Sequence, residues 1–196
     1  MPLNFRRIVP LLALALGLVL LGVALVVTLQ PRGSGSPAGA AVGGPFALVA
    51  QDGTTVTERD LQGHPTLIFF GFTHCADVCP TTLFELTQVF AALGPEKNVV
   101  GLFVSVDPER DTPALLKDYL AAFDPRIRGL SGDAAATAAI RKAYRVYAAK
   151  VPLAGGGYNM DHTSMVYLMD KQGQFVNAFN LQRPAAEAAK ELAGYL

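Results

Sequence analysis

Tryptophan is absent, histidine occurs three times and cysteine twice in 196 residues. Two cysteines are too few for a disulfide scaffold and too few for a zinc finger. Three histidines, none in a tract, leave no room for a histidine-rich metal store. Charge of either sign is also lacking: lysine plus arginine and aspartate plus glutamate both number 16. Removing the first 32 residues takes away Arg6, Arg7 and Arg32 and no acid, so the remainder carries a formal charge of about −3. That balance argues against nucleic-acid binding, which needs a basic surface. No internal repeat is present.

What is abundant is apolar, and part of it is concentrated at the N-terminus. Ile8 to Leu29 carries no charge. A helix of that length spans a bilayer core of about 30 Å. Arg6 and Arg7 precede it, which keeps the N-terminus in the cytoplasm and exports the rest. The expectation is a single-pass anchor in the inner (cytoplasmic) membrane, with the C-terminal domain on the periplasmic side. A cleaved signal peptide, with Pro37-Ala38-Gly39-Ala40 as its processing site, is the alternative, but its apolar region is normally shorter. No cysteine follows the run to take a lipid. Pro31 to Gly44 is rich in Gly, Ser, Pro and Ala and reads as a flexible tether. The expected organisation is residues 1–30 as cytoplasmic stub and transmembrane anchor, 31–44 as linker, and 45–196 as one folded domain.

Within the domain, two short strands flank Asp52-Gly53, a hairpin signal. A polar turn follows, with Thr57 as its cap. Thr66 to Phe70 and Val99 to Val106 are continuous apolar runs, which suit strands buried on both faces. Between them Leu83, Leu86, Phe90 and Leu93 recur at helical spacing; Pro80 suits the first turn of that helix, and Gly94-Pro95 ends it. Asp107 to Pro113 is a dense polar loop in which Asp111 or Thr112 caps a helix carrying Leu116, Leu120 and Phe123. A short strand at Arg128 to Leu130 comes next. Ala134 to Tyr147 reads as one helix with Ile140, Tyr144 and Tyr147 on a stripe, and Gly155 to Gly157 as a mobile loop. Met165 to Met169 and Gln174 to Phe179 form a hairpin, and Pro184 to Leu196 a closing helix. The fold class is α/β, a mixed sheet flanked by helices on both faces.

Both cysteines fall in one turn, Gly71-Phe72-Thr73-His74-Cys75-Ala76-Asp77-Val78-Cys79-Pro80, between the first buried strand and its helix. Cys75 and Cys79 are at i and i+4, so a helical turn puts both sulfurs on one face. They can share a soft metal ion or oxidise to a disulfide, and an exported compartment permits oxidation. A purely structural disulfide closing so short a loop contributes only about 2 kcal/mol. A metal needs a further ligand from elsewhere. His64 lies in a turn before a strand and reads as a solvated loop residue. His74 neighbours Cys75. His162 stands at a loop-to-strand junction, from which a side chain reaches the end of a neighbouring strand. Met160 offers a thioether, though a lone methionine more often serves packing. Two thiolates with an imidazole suit Cu(I) or Cu(II); zinc prefers a fourth ligand but also binds cysteine pairs.

The thiol turn, the run Phe103-Val104-Ser105-Val106-Asp107-Pro108-Glu109-Arg110-Asp111-Thr112-Pro113 and the stretch Asp161-His162-Thr163 ahead of Tyr167-Leu168 together resemble the Sco/SenC family of copper chaperones, in order and in spacing. The resemblance covers about Gly44 to Phe179. It implies a thioredoxin-like fold on a single membrane anchor, and one copper held by Cys75, Cys79 and His162. It also implies delivery of copper to the binuclear copper site of cytochrome c oxidase subunit II, or reduction of that site's cysteines. Another copper chaperone or a thiol reductant would be a further partner. Ala76 stands where the family has proline and Thr163 where it has serine; neither change removes a ligand. His74 is a candidate accessory ligand, Asp77 a candidate docking residue, and the Asp107 to Asp111 run either closes a loop or lines the site. The competing class is an enzyme, a thiol–disulfide oxidoreductase or peroxidase of the same fold. Oxidoreductases of this fold usually have two residues between the cysteines and a cis-proline loop opposite; here there are three, and Asp161-His162-Thr163 takes the loop's place.

Overall fold

A computed structural model describes residues 21–22 and 42–196, and the domain is the unit Val42–Leu196. Most of the apolar Ile8 to Leu29 segment and most of the linker lie outside the described residues. No helix among the described residues is long and apolar enough to cross a membrane.

The strands are β1 (Ala47–Ala50), β2 (Thr55–Thr57), β3 (Thr66–Gly71), β4 (Val100–Ser105), β5 (Ile127–Ser131), β6 (Ala148–Pro152), β7 (Tyr158–His162), β8 (Val166–Met169) and β9 (Phe175–Phe179). The helices are α1 (Val78–Leu93), α2 (Pro113–Leu120), α3 (Ala134–Ala143) and α4 (Ala185–Ala193). Seven strands form one sheet in the order β2-β1-β5-β4-β3-β8-β9. β3, β4 and β5 run parallel, and β8 pairs antiparallel with β3, placing Phe69 opposite Val166. The sheet is therefore mixed and thioredoxin-like, with helices on both faces, as the sequence predicts. Every residue of β3 and β8 is buried, which is why the two read as unbroken apolar runs rather than as alternating ones.

The two parallel crossovers, β3-α1-β4 and β4-α2-β5, lay α1 and α2 on one face, and α4 packs beside α1. Phe69 and Phe103 point to this face, and Phe103 continues to Tyr119 of α2. Phe70 and Tyr167 point to the other face, against Tyr144 at the end of α3.

The caps follow sequence chemistry. Thr112 accepts from the Leu115 N–H with Pro113 in the first turn of α2, and Asp133 accepts from the Ala136 N–H at α3. Gly94 ends α1 at φ +96°. The Gly43 N–H donates to the Ala143 carbonyl at 3.0 Å.

One expectation fails after α3. The helix predicted to reach Tyr147 stops at Ala143, because Arg145 takes a left-handed φ of +57° and the Val146 N–H turns back to the Arg141 carbonyl. Tyr147 is consequently exposed and leaves the core stripe. The glycine-rich segment is the turn of a two-stranded hairpin, β6-β7, with Gly156 and Gly157 at φ +91° and +75°.

Candidate metal centre

The cysteine turn leaves the C-terminal end of β3, the usual place for a site in a sheet with parallel strands. Cys75 sits in the loop and Cys79 in the first turn of α1, where the Cys79 N–H donates to Cys75 Sγ at 3.3 Å. β7 delivers His162 from the hairpin. The donor atoms of Cys75, Cys79 and His162 all lie within 4.8 Å of one another, and Cys79 Sγ is 3.8 Å from His162 Nε2. The site residues read from the sequence thus converge on one point.

His162 Nδ1 stands 2.9 Å from the Thr163 carbonyl. A carbonyl only accepts, so Nδ1 carries the proton and Nε2 presents its lone pair to the sulfurs, the tautomer a metal needs. The imidazole is held edge-on by Phe72, with centroids 5.7 Å apart at 90°. Thr163, where serine is usual in the resemblance, keeps the hydroxyl and accepts from the Tyr147 N–H at 3.1 Å.

The two thiols are not equivalent. Cys75 is half-buried and opens onto a cavity of about 310 Å³, whereas Cys79 is fully buried. Burial pushes the Cys79 thiol well above its usual range. Both cysteines are free thiols here.

The other sequence candidates separate. His64 precedes β3, at the opposite end of the strand from the cysteines, bonded to the Thr66 hydroxyl. His74 points away, exposed, toward the Thr73 hydroxyl and Asp111. Met160 is buried in β7 and lines the same cavity as Cys75 and His162, outside the group of three donors.

The polar loop after β4 joins the two halves of the site. Asp111 is buried and does not cap α2. Its carboxylate accepts from the Thr73 hydroxyl at 2.6 Å, the Thr73 N–H at 3.1 Å and the Ser105 hydroxyl at 2.6 Å, fixing the start of the cysteine turn to the end of β4. Asp107 accepts from Arg110 and from the Tyr158 hydroxyl at 2.8 Å. Arg110 donates to the Tyr158 carbonyl at 3.0 Å, stacks on the Tyr158 ring at 3.9 Å, and lies 5.8 Å from the Phe72 ring. One arginine therefore touches the strand that carries His162 and the turn that carries the thiols. The density of charge in this loop was the sequence signal; which side chains it would hold was not readable.

Gly71 gave no such signal. A Cβ there would stand 2.9 Å from Cys79 Sγ and 2.5 Å from the Phe103 ring. The glycine is what lets the sulfur lie against the end of β3.

A thioredoxin-like domain with two thiols and one imidazole converging at the end of β3 offers a donor set that could hold a soft metal ion. The SCO1/SenC family profile matches residues 34–196. Protein SCO1 homolog 1, mitochondrial, of Arabidopsis thaliana is 40% identical over 142 residues, 71% of this chain and 42% of that protein, so the chain spans under half of that relative. The structure of Bradyrhizobium japonicum ScoI with copper bound shares 57% identity at a TM-score of 0.77, covering 80% of this chain and 100% of that one. BsSco, described by its disulfide switch and as a member of the Sco family of cytochrome c oxidase assembly proteins, shares 26% identity at a TM-score of 0.61, covering 79% and 93%. The chain belongs to the SCO1/SenC family.

Proposed function

We propose that this chain is a membrane-anchored copper metallochaperone. Cys75, Cys79 and His162 bind one copper, as Cu(I) or Cu(II), and hand it to the binuclear copper site of cytochrome c oxidase subunit II. The observation that carries the reading is the meeting, within 4.8 Å, of two sulfurs from one turn and a ring nitrogen from a hairpin distant in sequence. Two thiolates and an imidazole match copper in softness and leave zinc short of its usual fourth ligand. The copper in the Bradyrhizobium relative supports it. The half-buried Cys75 gives a client access to the metal, and the buried Cys79 and pinned His162 retain it.

A reductive role fits the same residues. The proximity of the two free sulfurs, and the disulfide switch named for BsSco, favour it. A client disulfide would be reduced to two thiols as Cys75 and Cys79 form a disulfide, two electrons and two protons passing to the client; a separate thiol reductant would restore the pair. The anchor at residues 1–30, the tether at 31–44 and the periplasmic placement complete the proposal and rest on the sequence.

Copper stoichiometry on the reduced full chain, beside His162→Ala, tests it. One copper per wild-type chain, lost or bound at least about tenfold more weakly in the variant, is expected. No copper in the wild type, with cysteines that cycle against a thiol buffer, would make the chain an oxidoreductase. Full retention in His162→Ala would remove His162 from the site.

A further inference from the structure

The cavity lined by Cys75 and His162 does not end at Cys75. Asp77, Val78 and Ser164 on its rim also line a second hollow of about 430 Å³, between the start of α1 and the segment joining β9 to α4. The two form one groove. Three carboxylates are spaced along it: Asp161 next to His162, Asp77 before α1, and Glu85 two turns further. No lysine or arginine lines either hollow. No cation among the described residues forms an ion pair with these three acids. Arg110 and Arg183, on adjoining segments, are committed elsewhere, to Asp107 and to Glu191. Asp77 is the N-cap residue of α1, and its carboxylate makes no side-chain cap hydrogen bond. Val78 and Met165, 47% and 38% exposed, give the groove apolar lips.

Cu(I) with two thiolates would add one net negative charge at the head of this groove. The charge lining these two hollows then has one sign, with apolar footholds beside it; Arg183 lines the adjoining hollow beyond Glu85 and is paired with Glu191. We infer that the groove docks an extended segment of a copper-accepting protein, one that carries lysine or arginine beside its own thiols and apolar residues between them. The inference rests on the copper reading for its purpose, and on the groove's shape and charge for its chemistry. The carboxylates steer the basic segment inward, and its thiols arrive at Cys75, the accessible ligand.

The test is copper transfer from the full chain to two synthetic peptides with the same cysteine pair, one flanked by lysines and the other by glutamates. The lysine peptide should take copper at least about tenfold faster at low ionic strength, with the advantage shrinking as salt is added. Glu85→Lys, remote from the ligands, should keep copper stoichiometry and lose most of that preference. In parallel, serine-for-cysteine versions of both peptides are titrated against the metal-free chain by NMR. Shifts at Asp77, Glu85, Ser164 and Leu181 for the lysine peptide alone would establish the groove even in a chain that bound no copper. Equal transfer rates at every salt concentration, or shifts centred on the exposed Val151–Leu153 hairpin tip, would overturn it.

Discussion

Gly71 and Cys79 are a pair in which one residue exists to make room for the other. Gly71→Ala would press a methyl into the sulfur and the Phe103 ring. Overpacking of this kind costs about 1–3 kcal/mol. Its distinguishing effect is on the site: copper affinity should fall in Gly71→Ala more than in a core variant of equal stability away from β3, as competition with a copper chelator would show. The two thiols should also differ in reactivity. Cys75 is accessible, whereas Cys79 is buried and its thiol held protonated, so a small alkylating agent at pH 8 should modify Cys75 first, as peptide mapping by mass spectrometry would record. Cys75 and Cys79 were legible in the sequence because they are its only thiols and share one turn, whereas His162 was one of several candidates until the resemblance to the Sco/SenC family selected it. Gly71 and Asp111 were not legible, because their roles depend on what folding places against them. A buried carboxylate accepting three hydrogen bonds looks, in one dimension, like a helix cap.

Between β4 and α2, the Asp107 to Asp111 loop acts as the joint of the site. It ties the cysteine turn through Thr73 and the hairpin through Tyr158. Arg110→Lys keeps the charge but loses the planar stack and the fork of donors. The expected result is a fall in copper affinity of about tenfold to a hundredfold, the usual effect of disturbing groups that orient ligands. A shifted copper–thiolate absorption band would separate a moved His162 from a merely less stable domain. An unchanged band and affinity would show that the hairpin holds its own position. The hairpin is also the element the sequence concealed. β6 and β7 form a sheet of their own with mostly exposed or half-exposed residues, so neither carries the apolar run that announced β3, β4 and β8. Its first strand begins just past the helix predicted to reach Tyr147, whose observed end is set by Arg145, a residue with no glycine-like signature.

For the molecule as a whole, the fold class, the central strands and the helix order were readable because burial on two faces leaves unbroken apolar runs. Copper binding ties the cysteine turn to the hairpin more than 80 residues away, so it should stabilise the domain globally. A ligand at a thousand times its dissociation constant contributes about 4 kcal/mol, a rise in Tm on the order of 10 °C for a domain of this size. Calorimetry of His162→Ala should show much less of that rise. The most direct test of the central claim is X-ray absorption of the full chain loaded with one equivalent of Cu(I). Two sulfurs and one imidazole nitrogen around the metal, with the nitrogen lost in His162→Ala, is the predicted result. A centre of two sulfurs alone in the wild type would contradict it.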